Sequence, residues 1–143
     1  MQKVFITTKI VQAKGMMAIE AEQLNYKTND LPSETLGYEV TYEDGYKSWC
    51  PKNVFDKNAI ELQELSIFNA QCKDSMPEYL KRMFEEHNNL QDKINKLLTF
   101  IKTESFDELD KTQKENLNKQ KVFMLGYLNV LRERILYEII PTE

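Results

Sequence analysis

The residues of this chain that could do chemistry are few. The single histidine, His87, follows Glu85 and Glu86, and a carboxylate beside an imidazole is a pairing that a general acid and base would use. Its position argues against that role: His87 falls on the apolar face of a helical pattern, which reads as a core histidine flanked by two solvated carboxylates. Cys50 and Cys72 stand apart without C-x-x-C spacing, so neither a zinc site nor a disulfide framework is expected. Four glycines leave little room for a phosphate-cradling loop, and there is no G-x-S-x-G elbow. Glu104, Asp107, Glu108 and Asp110 cluster where a helix begins, and acids there complement its dipole; they do not have the arrangement of a calcium loop. The expectation is a chain with no catalytic set, no metal and no cofactor, and hence not an enzyme.

What remains is binding chemistry. Trp49 and the tyrosines around it can stack on a base, although a small β unit also needs large aromatics for its core. Phe100 and Phe106 flank an exposed turn between two helical stretches, where nothing in the same chain obviously covers both and a ring can stack on a ligand or neighbour. Arg132 and Arg134 lie in LRERI near the end of the last helix. A cation there favours the helix dipole in any protein, and a guanidinium also makes bidentate hydrogen bonds suited to phosphate. Two residues apart on a helix, they point about 200° away from each other. They therefore cannot grip one phosphate together from one chain.

These residues must be held by elements, and the spacing predicts them. KVFITTKIV over 3–11 is β-branched and reads as a first strand, followed by a short helix in MMAIEAEQL and a loop over 25–35. GYEVTYEDGYKSW reads as a hairpin over 37–50, with Asp44-Gly45 in a type I′ turn and Tyr38, Val40 and Tyr42 on one face. Pro51 ends it, a helical turn follows in PKNVFDKNAI, and ELQELSIF reads as a last strand. Ser75-Met-Pro-Glu78 has the spacing of a capping box and opens a helix whose stripe is Leu80, Met83, Phe84, His87, Leu90, Ile94, Leu97, Leu98 and Ile101. Ser105-Phe-Asp-Glu108 repeats that spacing, with Asp110 as a second start. The return helix carries Leu117, Met124, Tyr127, Leu128, Leu131, Ile135 and Ile139 and stops at Pro141. The predicted fold class is α+β: a small N-terminal antiparallel β-sheet unit over 1–70, then a long antiparallel two-helix hairpin over 75–140. Helices this long cannot hide their stripes on one another alone, which predicts oligomerisation through the hairpin.

A formal charge of −4 argues against a protein that coats DNA. No apolar run approaches the roughly 20 residues that span a bilayer, and MQKVFITTKI lacks the pattern of a signal peptide. A soluble, intracellular protein is expected.

HNNLQDKINKLLTFIKTESFDELDKTQKENLNKQKVFMLGYLNVLRERI resembles the helical hairpin shared by phage Thoeris anti-defence proteins and phage anti-CBASS sponges. GYEVTYEDGYKSWCPKNVFDKNA is similar to the β unit that precedes the hairpin in the Thoeris branch. The resemblance implies a non-enzymatic sponge in the cytoplasm of an infected bacterial host. Such a sponge sequesters cyclic ADP-ribose isomers made by TIR-domain enzymes, and some members also hold cyclic di- or trinucleotides at separate sites. It also implies a dimer or hexamer built through the hairpins. The family's ligand-binding residues correspond to Phe106, Asn116, Arg132 and Arg134 here, with Tyr127 as a further candidate. The rival reading is a structural or interaction protein that uses the hairpin to oligomerise, and a nucleotide hydrolase is a third.

Overall fold

The computed structural model describes residues 1–62 and 73–139, and the chain divides into two compact units, Met1–Ala59 and Ile60–Glu143. It is an α+β protein, with a three-stranded antiparallel sheet first and two long packed helices after it.

In the first unit the strands β1 (Gln12–Met17), β2 (Leu36–Thr41) and β3 (Lys47–Pro51) lie side by side in sequence order. The register pairs Gly15 with Tyr38 and Glu39 with Trp49. The first strand therefore starts at Gln12 and not at Lys3, and residues 1–11 have no regular structure. β-branched side chains favour a strand only where a neighbour supplies the ladder, and β2 is just long enough to pair with 12–17. The hairpin turn also differs from the type I′ expectation. Gly45 has a φ of +86°, but Asp44 is not in the left-handed region. The Gly45 N–H donates to the Tyr42 carbonyl at 2.9 Å and the Tyr42 N–H to the Tyr46 carbonyl at 2.9 Å. This is a three-residue loop, Glu43-Asp44-Gly45, with glycine in its left-handed position.

Successive residues of β2 point to opposite faces, and each face is covered by a helix. Trp49, beside Glu39, packs with Ala18 and Ala21 of α1 (Ala18–Gln23) and with Met16, Tyr26 and Leu31. Its indole N–H donates to the Met16 carbonyl at 2.8 Å. On the other face Tyr38 meets Phe55 of α2 (Lys52–Asn58), ring centroids 4.8 Å apart. Gly37 makes this packing fit: a Cβ there would lie 2.5 Å from the Trp49 ring and 2.6 Å from the Cys50 carbonyl oxygen.

The second unit is the hairpin of α3 (Glu78–Ile101) and α5 (Lys111–Ile139), joined through the one-turn α4 (Glu104–Asp107). At 24 and 29 residues the long helices run to about 36 and 43 Å. Their caps are not the expected capping boxes. Pro77 occupies the N-cap of α3 and no side chain caps it, so Ser75 lies before the helix start. Thr103, not Ser105, caps α4, its hydroxyl accepting from the Phe106 N–H at 3.3 Å. Asp110 Oδ1 accepts from the Gln113 N–H at 2.9 Å at the start of α5, the second of the two expected starts. Leu80, Met83 and Phe84 pack against Leu131 and Ile135, with Met76 and Ile139 at the margin. The predicted strand ELQELSIF from Gln63 onward, Cys72 and the Pro141 stop lie outside the described residues.

Candidate functional site

The five predicted binding residues separate into two sets. Asn116, Tyr127 and Arg134 lie on the exposed side of α5, whereas Arg132 and Phe106 are buried. The structure thus brings the first three onto one helix face and keeps the other two apart from them.

Arg132 is only 2% exposed and His87 1%. The Arg132 Nε–H, which can only donate, lies 3.2 Å from His87 Nε2, so that ring nitrogen accepts and the proton sits on Nδ1. Nδ1–H in turn donates to Asn88 Oδ1 at 3.1 Å. Burial lowers the His87 pKa below its ordinary 6.5, the Asn88 hydrogen bond works in the other direction, and the neighbouring guanidinium lowers it further. A neutral histidine is therefore the form that serves Arg132. Burial also lowers the Arg132 pKa. Asn129 is buried on the same helix and donates to the Leu125 carbonyl at 2.7 Å. Together these residues form a polar layer inside the hairpin.

Phe106 is 8% exposed and closes the interhelical turn. Its ring meets Phe100 edge to face, centroids 6.1 Å apart. Trp49 is likewise a core residue of its unit, and Glu85 and Glu86 are exposed.

The accessible chemistry lies on the opposite side of α5. Phe123, Tyr127, Val130 and Tyr137 are between 36% and 76% exposed, and with Asn116, Gln120 and Arg134 they follow alternating steps of four and three residues. That spacing places all seven on one stripe of the helix. The sequence reading followed the leucine and isoleucine row and missed Phe123, Val130 and Tyr137, which form a second row beside it. Their signal was the same three-and-four spacing offset by one residue.

Two shallow grooves lie along this stripe, against α3. One, of about 510 Å³, is bounded by Tyr79, Val130, Glu133, Arg134, Tyr137 and Glu138. The Tyr79 hydroxyl donates to Glu138 Oε2 across it at 2.8 Å. That bond raises the Tyr79 pKa, so the phenol stays protonated. The other groove, of about 430 Å³, has Arg82, Lys93 and Asn89 of α3 facing Tyr127, with the carboxylates of Glu85 and Glu86 beside the two cations. Arg134 makes no hydrogen bond or ion pair among the described residues. Aromatic faces for a planar group and guanidinium groups for an anion are therefore both at the surface. Among the described residues no three His, Cys, Asp or Glu side chains converge in a way that could hold a metal, and no helix is long and apolar enough to cross a membrane.

Residues 77–137 match the model of a family described as Sequestin, a stretch that covers α3, α4 and nearly all of α5. No curated protein and no solved structure matches the chain.

Proposed function

We propose that this chain is a phage sponge: it binds cyclic ADP-ribose isomers made by TIR-domain immune enzymes and withholds them from their effector without cleaving them. The observation that carries the reading is the match of residues 77–137 to Sequestin, a name that denotes sequestration. It falls on the stretch that resembles the hairpin of the phage sponges. The ligand's chemistry suits the exposed stripe, since adenine offers a face for Tyr127 or Tyr137 and the diphosphate an anion for Arg134. Asn116, one turn beyond Gln120 on the same stripe, supplies an amide. Arg132 and Phe106 act by shaping the hairpin that carries these groups. Cyclic di- or trinucleotides at separate sites, and assembly as a dimer or hexamer through the hairpins in the host cytoplasm, complete the proposal.

Sequestration needs affinity and abundance, not turnover. The purified protein is incubated with a cyclic ADP-ribose isomer, desalted and heated, and the released molecule is analysed. Intact ligand in stoichiometric amount is expected. An altered nucleotide would make the protein an enzyme. Absence of binding would favour the second reading, an interaction protein for which the apolar stripe Phe123, Tyr127, Val130 and Tyr137 is a docking row.

A further inference from the structure

The N-terminal eleven residues carry strand chemistry with nothing to pair with. Val4, Phe5 and Ile6 are 96%, 78% and 81% exposed. No backbone hydrogen bond among the described residues involves residues 1–11. They run directly into β1, an edge strand whose other side is paired to β2, and five of whose six residues are exposed. Around Gly15 the space is open, with nothing within 4 Å of where a Cβ would lie. Arm and edge are continuous in sequence over Lys3–Met17, and the outer side of β1 has no partner strand among the described residues. β-branched residues leave an edge of this kind ready to template another chain.

We infer that this arm and edge pair with the same segment of a second copy, antiparallel about a twofold axis, so that two three-stranded sheets become one six-stranded sheet. The sequence itself identifies the partner. In a symmetric antiparallel pair the axis passes through the face of the sheet, so opposed residues come from the same face of each strand and one residue must oppose itself. Centring the axis on Lys9 would set Lys9 against Lys9, which is unfavourable. Centring it on Ile10 pairs every residue from Lys3 to Met17. Ile10 then meets Ile10, Val4 meets Met16 and Phe5 meets Gly15. The three lysines of the segment, Lys3, Lys9 and Lys14, fall opposite Met17, Val11 and Ile6, and none opposes another cation. The arm of each copy thereby covers the free edge of the other, and this contact is separate from any assembly through the hairpins.

The test uses the full chain. Ile10→Cys is oxidised mildly and the cross-links are mapped by peptide mass spectrometry, which separates them from links at Cys50 and Cys72. Facing Cα atoms in antiparallel strands are about 4.5–5.5 Å apart, within disulfide reach. Dimers linked through position 10 of both copies are expected, while Thr7→Cys, opposite Ala13, should form at least tenfold less self-linked product. Amide exchange over 3–17 should slow as protein concentration rises, and Thr7→Pro, which removes an N–H on the side facing the second copy, should abolish that slowing with exchange in β2 and β3 unchanged. Equal linking at positions 7 and 10, or exchange over 3–17 that does not respond to concentration, would overturn the inference.

Discussion

At the scale of single residues, the histidine that stood closest to a catalytic role is a hydrogen-bond acceptor inside a helix pair. Arg132 can only donate, so the bond at 3.2 Å requires an unprotonated His87 Nε2. Burial lowers the His87 pKa below 6.5, so above pH 6.5 the ring is neutral in folded and unfolded chains alike. Below that pH the unfolded chain takes up a proton that the folded one resists. Stability contributed by the pair is therefore complete above pH 6.5 and declines as the pH falls toward the folded-state value, by at most about 1.4 kcal/mol per pH unit. Urea unfolding followed by helix circular dichroism at pH 7.5, 6.5 and 5.5 measures this. His87→Gln, whose amide oxygen still accepts from Arg132, should flatten the dependence. The two arginines of LRERI differ for the same geometric reason that sequence spacing gave: one turns inward and one outward.

At the scale of elements, two close contacts decide whether a segment keeps its shape. Gly37→Ala drives a Cβ into the Trp49 ring and the Cys50 carbonyl at 2.5–2.6 Å. Because one of those contacts is backbone, strand β3 must shift, and a loss of about 1–3 kcal/mol is expected. Trp49 is the single tryptophan, so its fluorescence during denaturation reads the loss directly. In the hairpin, Phe106→Ala removes the ring that packs on Phe100 at the turn, and should cost about 3–5 kcal/mol. Helix circular dichroism during thermal unfolding checks it. Much of this architecture was legible in the sequence. Asp44-Gly45 marked the β2–β3 hairpin, and the Leu, Met and Ile spacing marked both long helices. Less legible was whatever depended on a partner. KVFITTKIV has strand propensity yet remains unpaired in one copy, because β2 ends at Thr41, opposite Gln12, and does not run on beside it. Ser75 and Ser105 have capping spacing, but Pro77 and Thr103 hold the N-cap positions. The outer row of α5 was hidden because Phe123, Tyr127, Val130 and Tyr137 are interleaved with the inner leucines.

At the scale of the whole molecule, the sponge reading requires that binding and folding be linked. A ligand held only by the folded hairpin stabilises it by RT ln(1 + [L]/Kd), about 2.7 kcal/mol when free ligand is a hundred times Kd. Helix circular dichroism should therefore show the melting midpoint rising with the concentration of a cyclic ADP-ribose isomer, logarithmically once the sites are saturated. Arg134→Ala separates recognition from stability. Arg134 is exposed and makes no ion pair among the described residues, so its loss should change the unliganded midpoint by less than the equivalent of about 0.5 kcal/mol. If the guanidinium holds the diphosphate, affinity should fall by about tenfold or more, as loss of a charge-assisted hydrogen bond worth about 1.5–3 kcal/mol requires. The ligand-dependent rise would then begin at tenfold higher concentration. A variant that melts early without ligand would place Arg134 among the structural residues. One that keeps the wild-type rise would move the anion site elsewhere on the stripe, with Arg82 and Lys93 beside Tyr127 the next positions to substitute.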